Sequence, residues 1–258
     1  MNAQRDAVQA ATPPLDARVL AACIDHTLLE PGADAEAIDT LVDEALMFGF
    51  ASVCVHGVWV KRVRERLAQA ARDGRSAIPG VCAVVDFPFG CAGSCAKAAH
   101  ARALARDGAN ELDVVMFPPA TPSGDVELMR SDIAPLVNAV HEVNPNIVVK
   151  AILETAAMEA AATSDAVLET MLARACEASR IAGCDFVKTS TGFHEAGGAT
   201  ARTVALLRKH AGRLRVKASG GIRTLVDARA MLDAGADRLG CSKSVAIVKE
   251  AEGKGIRH

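Results

Sequence analysis

Short apolar runs alternate along the chain with longer stretches in which apolar side chains recur at helical spacing. The short runs read as buried strands and the longer stretches as amphipathic helices, so their alternation predicts successive βαβ units built on a parallel sheet. Strands are predicted at 22–24, 52–55, 81–85, 111–115, 147–152, 186–189, 215–218 and 238–241. Helices are predicted at 35–48, 59–72, 94–106, 126–142, 166–182, 201–210 and 225–234, with a last one starting at Ser242 and a short extra one at 15–22. Gly108, Gly183, Gly212 and Gly235 stand where helices need a left-handed stop before the next strand.

Eight strand and helix pairs in 258 residues predict an α/β protein with one (β/α)8 TIM barrel over residues 15–258, preceded by a flexible extension at 1–14. An open dinucleotide-binding sheet would want GxGxxG after the first strand, and Asp25-His26-Thr27-Leu28-Leu29 stands there instead. In a barrel the C-terminal strand ends share one mouth, which collects Asp25, Thr27, Cys54, Asp86, Asp113, Lys150, Glu154, Lys188 and Lys217 as candidates.

Composition narrows the ligand. Half the residues are apolar, aromatics make up 3% and tyrosine is absent, so the core is expected to be aliphatic. A net charge of −2 without a basic stripe argues against nucleic acid and leaves a small molecule as the expected partner. Eight cysteines (Cys23, Cys54, Cys82, Cys91, Cys95, Cys176, Cys184, Cys241) lack CxxC or zinc-finger spacing and read as reduced, buried thiols with no metal. No apolar leader and no run of about 18 apolar residues is evident, so a cytoplasmic protein without a membrane span is expected.

The candidate chemistry centres on two lysines at strand ends, in FVKTSTG (186–192) and RVKASGG (215–221). Lost hydration and a second ammonium nearby both disfavour the charged amine, which turns Lys188 into a nucleophile for carbonyl carbon. Lys150 is a rival, but the Ala-Ile-Leu-Glu-Thr after it is expected to continue the strand, which sets Lys150 deeper, and it is expected to pair with Asp113 or Glu154. Asp113 sits in an apolar run and needs a cation to stay ionised there. The turns at Thr189-Ser190-Thr191-Gly192, Ser219-Gly220-Gly221 and Gly240-Cys241-Ser242 combine hydroxyls with glycines that let backbone N–H groups approach phosphate, and a helix starting at Ser242 would add its positive end.

With these residues in place the chain resembles the deoxyribose-phosphate aldolase family of class I aldolases. The segments carrying the resemblance are IDHTLL (24–29), SVCVHG (52–57), ELDVVM (111–116), KAILET (150–155), FVKTSTGF (186–193), VKASGGIRT (216–224) and RLGCSKSVAIV (238–248). The resemblance implies that Lys188 forms a Schiff base, that Lys217 tunes it, and that Asp113 shuttles protons with Lys217. It also implies a phosphate held by Gly192, Gly220, Gly221 and Ser242. Thr27, Thr191 and Lys243 are added as neighbours of that site, and Lys243 stands where many relatives carry a small hydroxyl residue. The implied reaction is reversible cleavage of 2-deoxy-D-ribose 5-phosphate to acetaldehyde and D-glyceraldehyde 3-phosphate. It needs no metal or organic cofactor, serves deoxyribonucleoside catabolism and is run by a homodimer. Two departures are the absence of a C-terminal tyrosine and the unusual segment MFPPATPSGD (116–125). An aldolase for another phosphorylated sugar, which Lys243 supports, and a sugar-phosphate binder without turnover are the alternative readings.

Overall fold

In the computed structural model, which describes residues 15–253, eight parallel strands close into a barrel in chain order, with β1 paired to β8. The strands are β1 (Ile24–Leu28), β2 (Ser52–Val55), β3 (Gly80–Val85), β4 (Glu111–Val115), β5 (Val148–Ile152), β6 (Phe186–Lys188), β7 (Arg215–Ser219) and β8 (Arg238–Cys241). The α-helices among the described residues are α1 (Ala17–Ala21), α2 (Ala35–Phe48), α3 (Val60–Arg72), α4 (Ser94–Asp107), α5 (Ala120–Ser123), α6 (Val126–His141), α7 (Thr155–Ala161), α8 (Asp165–Ala182), α9 (Ala201–His210), α10 (Leu225–Asp233) and α11 (Ser244–Ala251), and a 3-10 turn at Gly57–Trp59 leads into α3. The extension expected at 1–14 and the last five residues lie outside the described residues.

Local chemistry sets the element ends. Asp34, Asp125, Ser164, Thr200 and Thr224 accept backbone N–H bonds at the starts of α2, α6, α8, α9 and α10, filling donors that a helix leaves open. Gly108 and Gly183 end α4 and α8 at φ +108° and +91°. Gly212 and Gly235 also have positive φ but lie one residue past the caps at Ala211 and Ala234.

Four expectations need correction. Asp25 and Thr27 lie within β1, not after it. The KAILET segment does not run on as strand: Glu154 takes a left-handed φ of +54° and the alanine-rich stretch from Thr155 coils into α7. The last helix starts at Ser244 rather than Ser242. Cys91 and Cys95 are exposed, and Cys23 half-buried, rather than buried.

The two-residue period of each strand sorts side chains between two environments. Val53, Val55, Val81, Ala83, Val85, Leu112, Val114, Val149, Ala151, Val187, Val216, Ala218 and Leu239 join the helices in one continuous aliphatic core. The alternate positions face the barrel interior. There the register sets Asp113 beside Lys150, Lys188 beside Lys217, and Lys217 beside Arg238. Most barrels fill this space with branched aliphatics; here much of it is charge.

A second buried charge lies between helices. Lys97 of α4 is 1% exposed, and its Nζ donates to both oxygens of Asp132 on α6, at 2.9 and 2.8 Å, and to the Val115 carbonyl at 2.9 Å. Asp132 also accepts from the Phe117 N–H, so the pair ties two helices to the end of β4. Losing one partner strands a buried charge, at a cost of about 3–5 kcal/mol. Lys97→Met is therefore expected to lower the urea midpoint strongly. The double variant Lys97→Met/Asp132→Asn, which keeps an acceptor for Phe117, should recover more than half of that loss.

Candidate active site

The barrel interior concentrates four cations and three carboxylates, all brought by strands. Lys150 Nζ lies 3.0 Å from Asp113 Oδ1 and 2.5 Å from Glu111 Oε2. Lys217 Nζ lies 2.6 Å from Asp113 Oδ2 and 2.5 Å from Asp25 Oδ2. Arg238 closes the lower end on Asp25 Oδ1 at 2.5 Å, and Ser52 donates to the same oxygen at 2.7 Å. Lys188 Nζ, nearest the mouth, donates to Asp113 Oδ2 at 2.8 Å. Lys150 does not pair with Glu154, whose Oε1 instead accepts the Thr191 N–H at 2.7 Å.

Burial works against every one of these charges, and the neighbours decide the outcome. For Asp113 the three lysines prevail and hold its carboxyl well below the usual range. Asp25 is likewise held down, by Lys217, Lys150 and Arg238. Lys217 is held above the usual lysine range by Asp113 and Asp25, and Lys150 well above it, mainly by Asp113. On the β2 side, the Cys54 thiol is held down by its hydrogen bond with Cys82, against its own burial.

Cys54, Cys82 and Asp113 bring ligating atoms within 4.8 Å of one another, as do Asp25, Cys82 and Glu111. In both groups a lysine already supplies the positive charge: Lys150 Nζ lies 3.5 Å from Cys82 Sγ and salt-bridges all three carboxylates.

Above Lys188 opens a cavity of about 310 Å³, lined by Thr27, Thr191, Gly192, Gly220, Gly221 and Ser242 among others. Of the lysines discussed above, Lys188 alone reaches it. Among the described residues no group accepts the N–H of Gly192, Gly220 or Gly221, so one wall carries open donors suited to an anion. The Phe87 ring lies 6.0 Å from Lys188 Nζ and meets Phe193 edge to face at 5.3 Å, which sets apolar surface beside the amine.

Six of the seven residues expected near a phosphate line this cavity; Lys243 does not. It faces a separate groove between α2 and α11 with His26, Glu44 and Lys249, because the chain turns outward after Ser242 before α11 begins. Asp86 is also away from the centre, accepting the Ala92 N–H beside Lys97. Sequence reasoning passed over Arg223 and Glu30 at the cavity wall, and Arg238 and Glu111 in the interior. For the interior pair a signal was available, since both occupy inward strand positions in phase with Lys217 and Asp113.

A lysine at the floor of an anion-ready pocket, with its charge shared through one buried carboxylate, defines a barrel enzyme for carbonyl compounds. The chain belongs to the DeoC/LacD family of aldolases, whose family model matches residues 19–249. It is 44% identical over 233 residues to the deoxyribose-phosphate aldolase of Brevibacillus brevis, covering 90% of this chain and 96% of that one. It is 42% identical over 233 residues to that of Thermococcus gammatolerans, with the same coverage. Among solved structures it resembles the deoxyribose phosphate aldolase of Aeropyrum pernix, described as a unique tetramer, at 32% identity and a TM-score of 0.79 over 92% of each chain.

The interior charges set a stability window. Asp25 and Asp113, with folded values lowered from 3.8, contribute fully above that pH and lose their contribution as pH falls through the folded values. Lys150 and Lys217, with folded values raised from 10.5, contribute fully below that pH and lose it as pH rises through the folded values. Burial also lowers His26 and His100 from 6.5 and raises the Cys176, Cys184 and Cys241 thiols from 9.0, so the thermal midpoint is expected to stay level from about pH 7 to about pH 8.5 and to fall below about 6 and above about 9. A midpoint that drifts steadily through neutrality in calorimetry would contradict this account.

Proposed function

We propose that the protein is a deoxyribose-phosphate aldolase that cleaves 2-deoxy-D-ribose 5-phosphate through an imine on Lys188. The observation that carries this reading is the charge count inside the barrel. Asp25, Glu111 and Asp113 face Lys150, Lys217, Arg238 and Lys188, so one cation lacks a carboxylate of its own. Lys188 is the one that shares Asp113 Oδ2 with Lys217 and also opens on the cavity. Removing its proton balances the interior and frees a lone pair where a substrate can meet it.

The Lys188 nitrogen attacks the aldehyde carbon of the open-chain sugar, and the carbinolamine loses water to give an iminium. This draws electrons from the C2–C3 bond, which breaks as the C3 hydroxyl gives up its proton. D-Glyceraldehyde 3-phosphate leaves, the enamine takes a proton on carbon, and water hydrolyses the iminium to release acetaldehyde and the free amine. Lys217 and a water carry the proton, over hydrogen bonds that Asp113 holds in place. Because Asp113 is held ionised and Lys217 protonated, the carboxylate acts by positioning and stabilising cations while lysine nitrogen stores the proton. The far phosphate is held by the N–H groups of Gly192, Gly220 and Gly221 with the hydroxyls of Thr191 and Ser242, and Thr27 also lines the cavity. That anchor supplies part of the orientation the reacting end needs.

The position of Lys243 removes the support it lent to another sugar phosphate. A binder without turnover has no use for an amine set against a carboxylate beneath its phosphate site. The expected homodimer stays part of this reading and is read directly by sedimentation.

Borohydride reduction in the presence of acetaldehyde should leave its mass adduct on the peptide containing Lys188. An adduct on Lys150, or none, would overturn the assignment. Lys217→Leu should lower kcat by about a hundredfold or more while affinity for inorganic phosphate changes less than about twofold. Wild-type turnover in that variant would remove the role given to Lys217.

A further inference from the structure

The loop after β6 folds back so that Gly198 and Ala199 press against the turn after β7. Gly198 does not line the cavity, and its φ is ordinary, so neither substrate contact nor backbone strain explains a glycine there. Close approach does. A methyl on Gly198 would collide with the carbonyl group of Gly220 and lie 2.8 Å from its Cα. Gly220 is confined from both sides, since its own methyl would lie 2.9 Å from Gly198 Cα and 3.1 Å from Gly192 Cα. Three glycine backbones are thus stacked, Gly198 outermost and Gly192 on the cavity wall.

The stack fixes an orientation. The Ala199 N–H donates to the carbonyls of both Ser219 and Gly220, each at 3.1 Å. In a planar trans peptide the carbonyl points opposite to the N–H of the next residue. Holding those two carbonyls against Ala199 therefore turns the N–H groups of Gly220 and Gly221 to the other side. These are two of the donors that have no acceptor among the described residues, and both residues line the cavity. We propose that Gly198 is a positioning residue for anion recognition: by admitting the loop after β6 to contact with Gly220, it aims the Gly220 and Gly221 N–H groups at the substrate phosphate. This inference rests on the aldolase reading above, which supplies the phosphate.

Gly198→Ala in the full chain tests it with two substrates. KM for 2-deoxyribose 5-phosphate should rise about tenfold or more with kcat within about threefold, while kcat/KM for unphosphorylated 2-deoxyribose holds within about twofold. Equal losses on both substrates, or no change on either, would overturn the proposal. Hydrogen exchange on the wild type covers the case in which the variant does not fold. Inorganic phosphate should slow exchange of the Gly220, Gly221 and Ala199 amides together, and protection of the first two without Ala199 would also overturn it. Failure of the wild type to turn over deoxyribose 5-phosphate would instead count against the aldolase reading itself.

Discussion

Asp113 is the centre on which the barrel interior depends. One carboxylate, completely buried, receives three lysine ammonium groups from β5, β6 and β7. Each of those charges would be expensive alone in this environment, and together they are tolerable only because they are shared. The same sharing gives the site its asymmetry. Lys150 and Lys217 have further carboxylates in Glu111 and Asp25, while Lys188 has only its part of Asp113. What holds the interior together thus also singles out the lysine at the mouth.

The parts proposed to react and to hold the anion are linked through the backbone of β6. Lys188 ends the strand, and Thr191 and Gly192 follow within one turn at the cavity wall. The turn is pinned from two directions: Glu154 takes the Thr191 N–H, and Ser219 Oγ donates to the Ser190 carbonyl. A displacement of this turn would shift the open N–H donors while leaving Lys188 seated on Asp113. On the proposed roles, affinity and chemistry could therefore be perturbed separately even though they share a strand.

Much of this was legible in the sequence because strand periodicity carries it. A lysine or aspartate within an apolar strand points to the face opposite its immediate neighbours, and the closed barrel gathers such faces at one axis. Asp113, Lys188 and Lys217 were found on that basis, and the glycine turns from the hydroxyls and glycines that follow the last three strands. Lys97 was not, because its partner Asp132 lies on another helix; the visible trace is an aspartate inside the apolar stripe of Met129, Ile133 and Leu136. The break after β5 was hidden for another reason. KAILET has strand-like composition up to Leu153, and the left-handed Glu154 that ends it follows from packing against Thr191. Lys243 was misplaced because the direction of a side chain beyond a strand end depends on where the following helix starts.

The interior charges are also divided along the chain. Asp25, Glu111 and Asp113 come from the first four strands, and Lys150, Lys188, Lys217 and Arg238 from the last four. As the polypeptide emerges from the ribosome, its leading half carries only the acidic lining and its trailing half only the basic one. Either half-barrel alone would have to bury like charge against like. Mutual neutralisation therefore favours the pairing of the two halves over the premature closure of either, and a chain cut near its middle would be left with two fragments each strongly disposed to find the other.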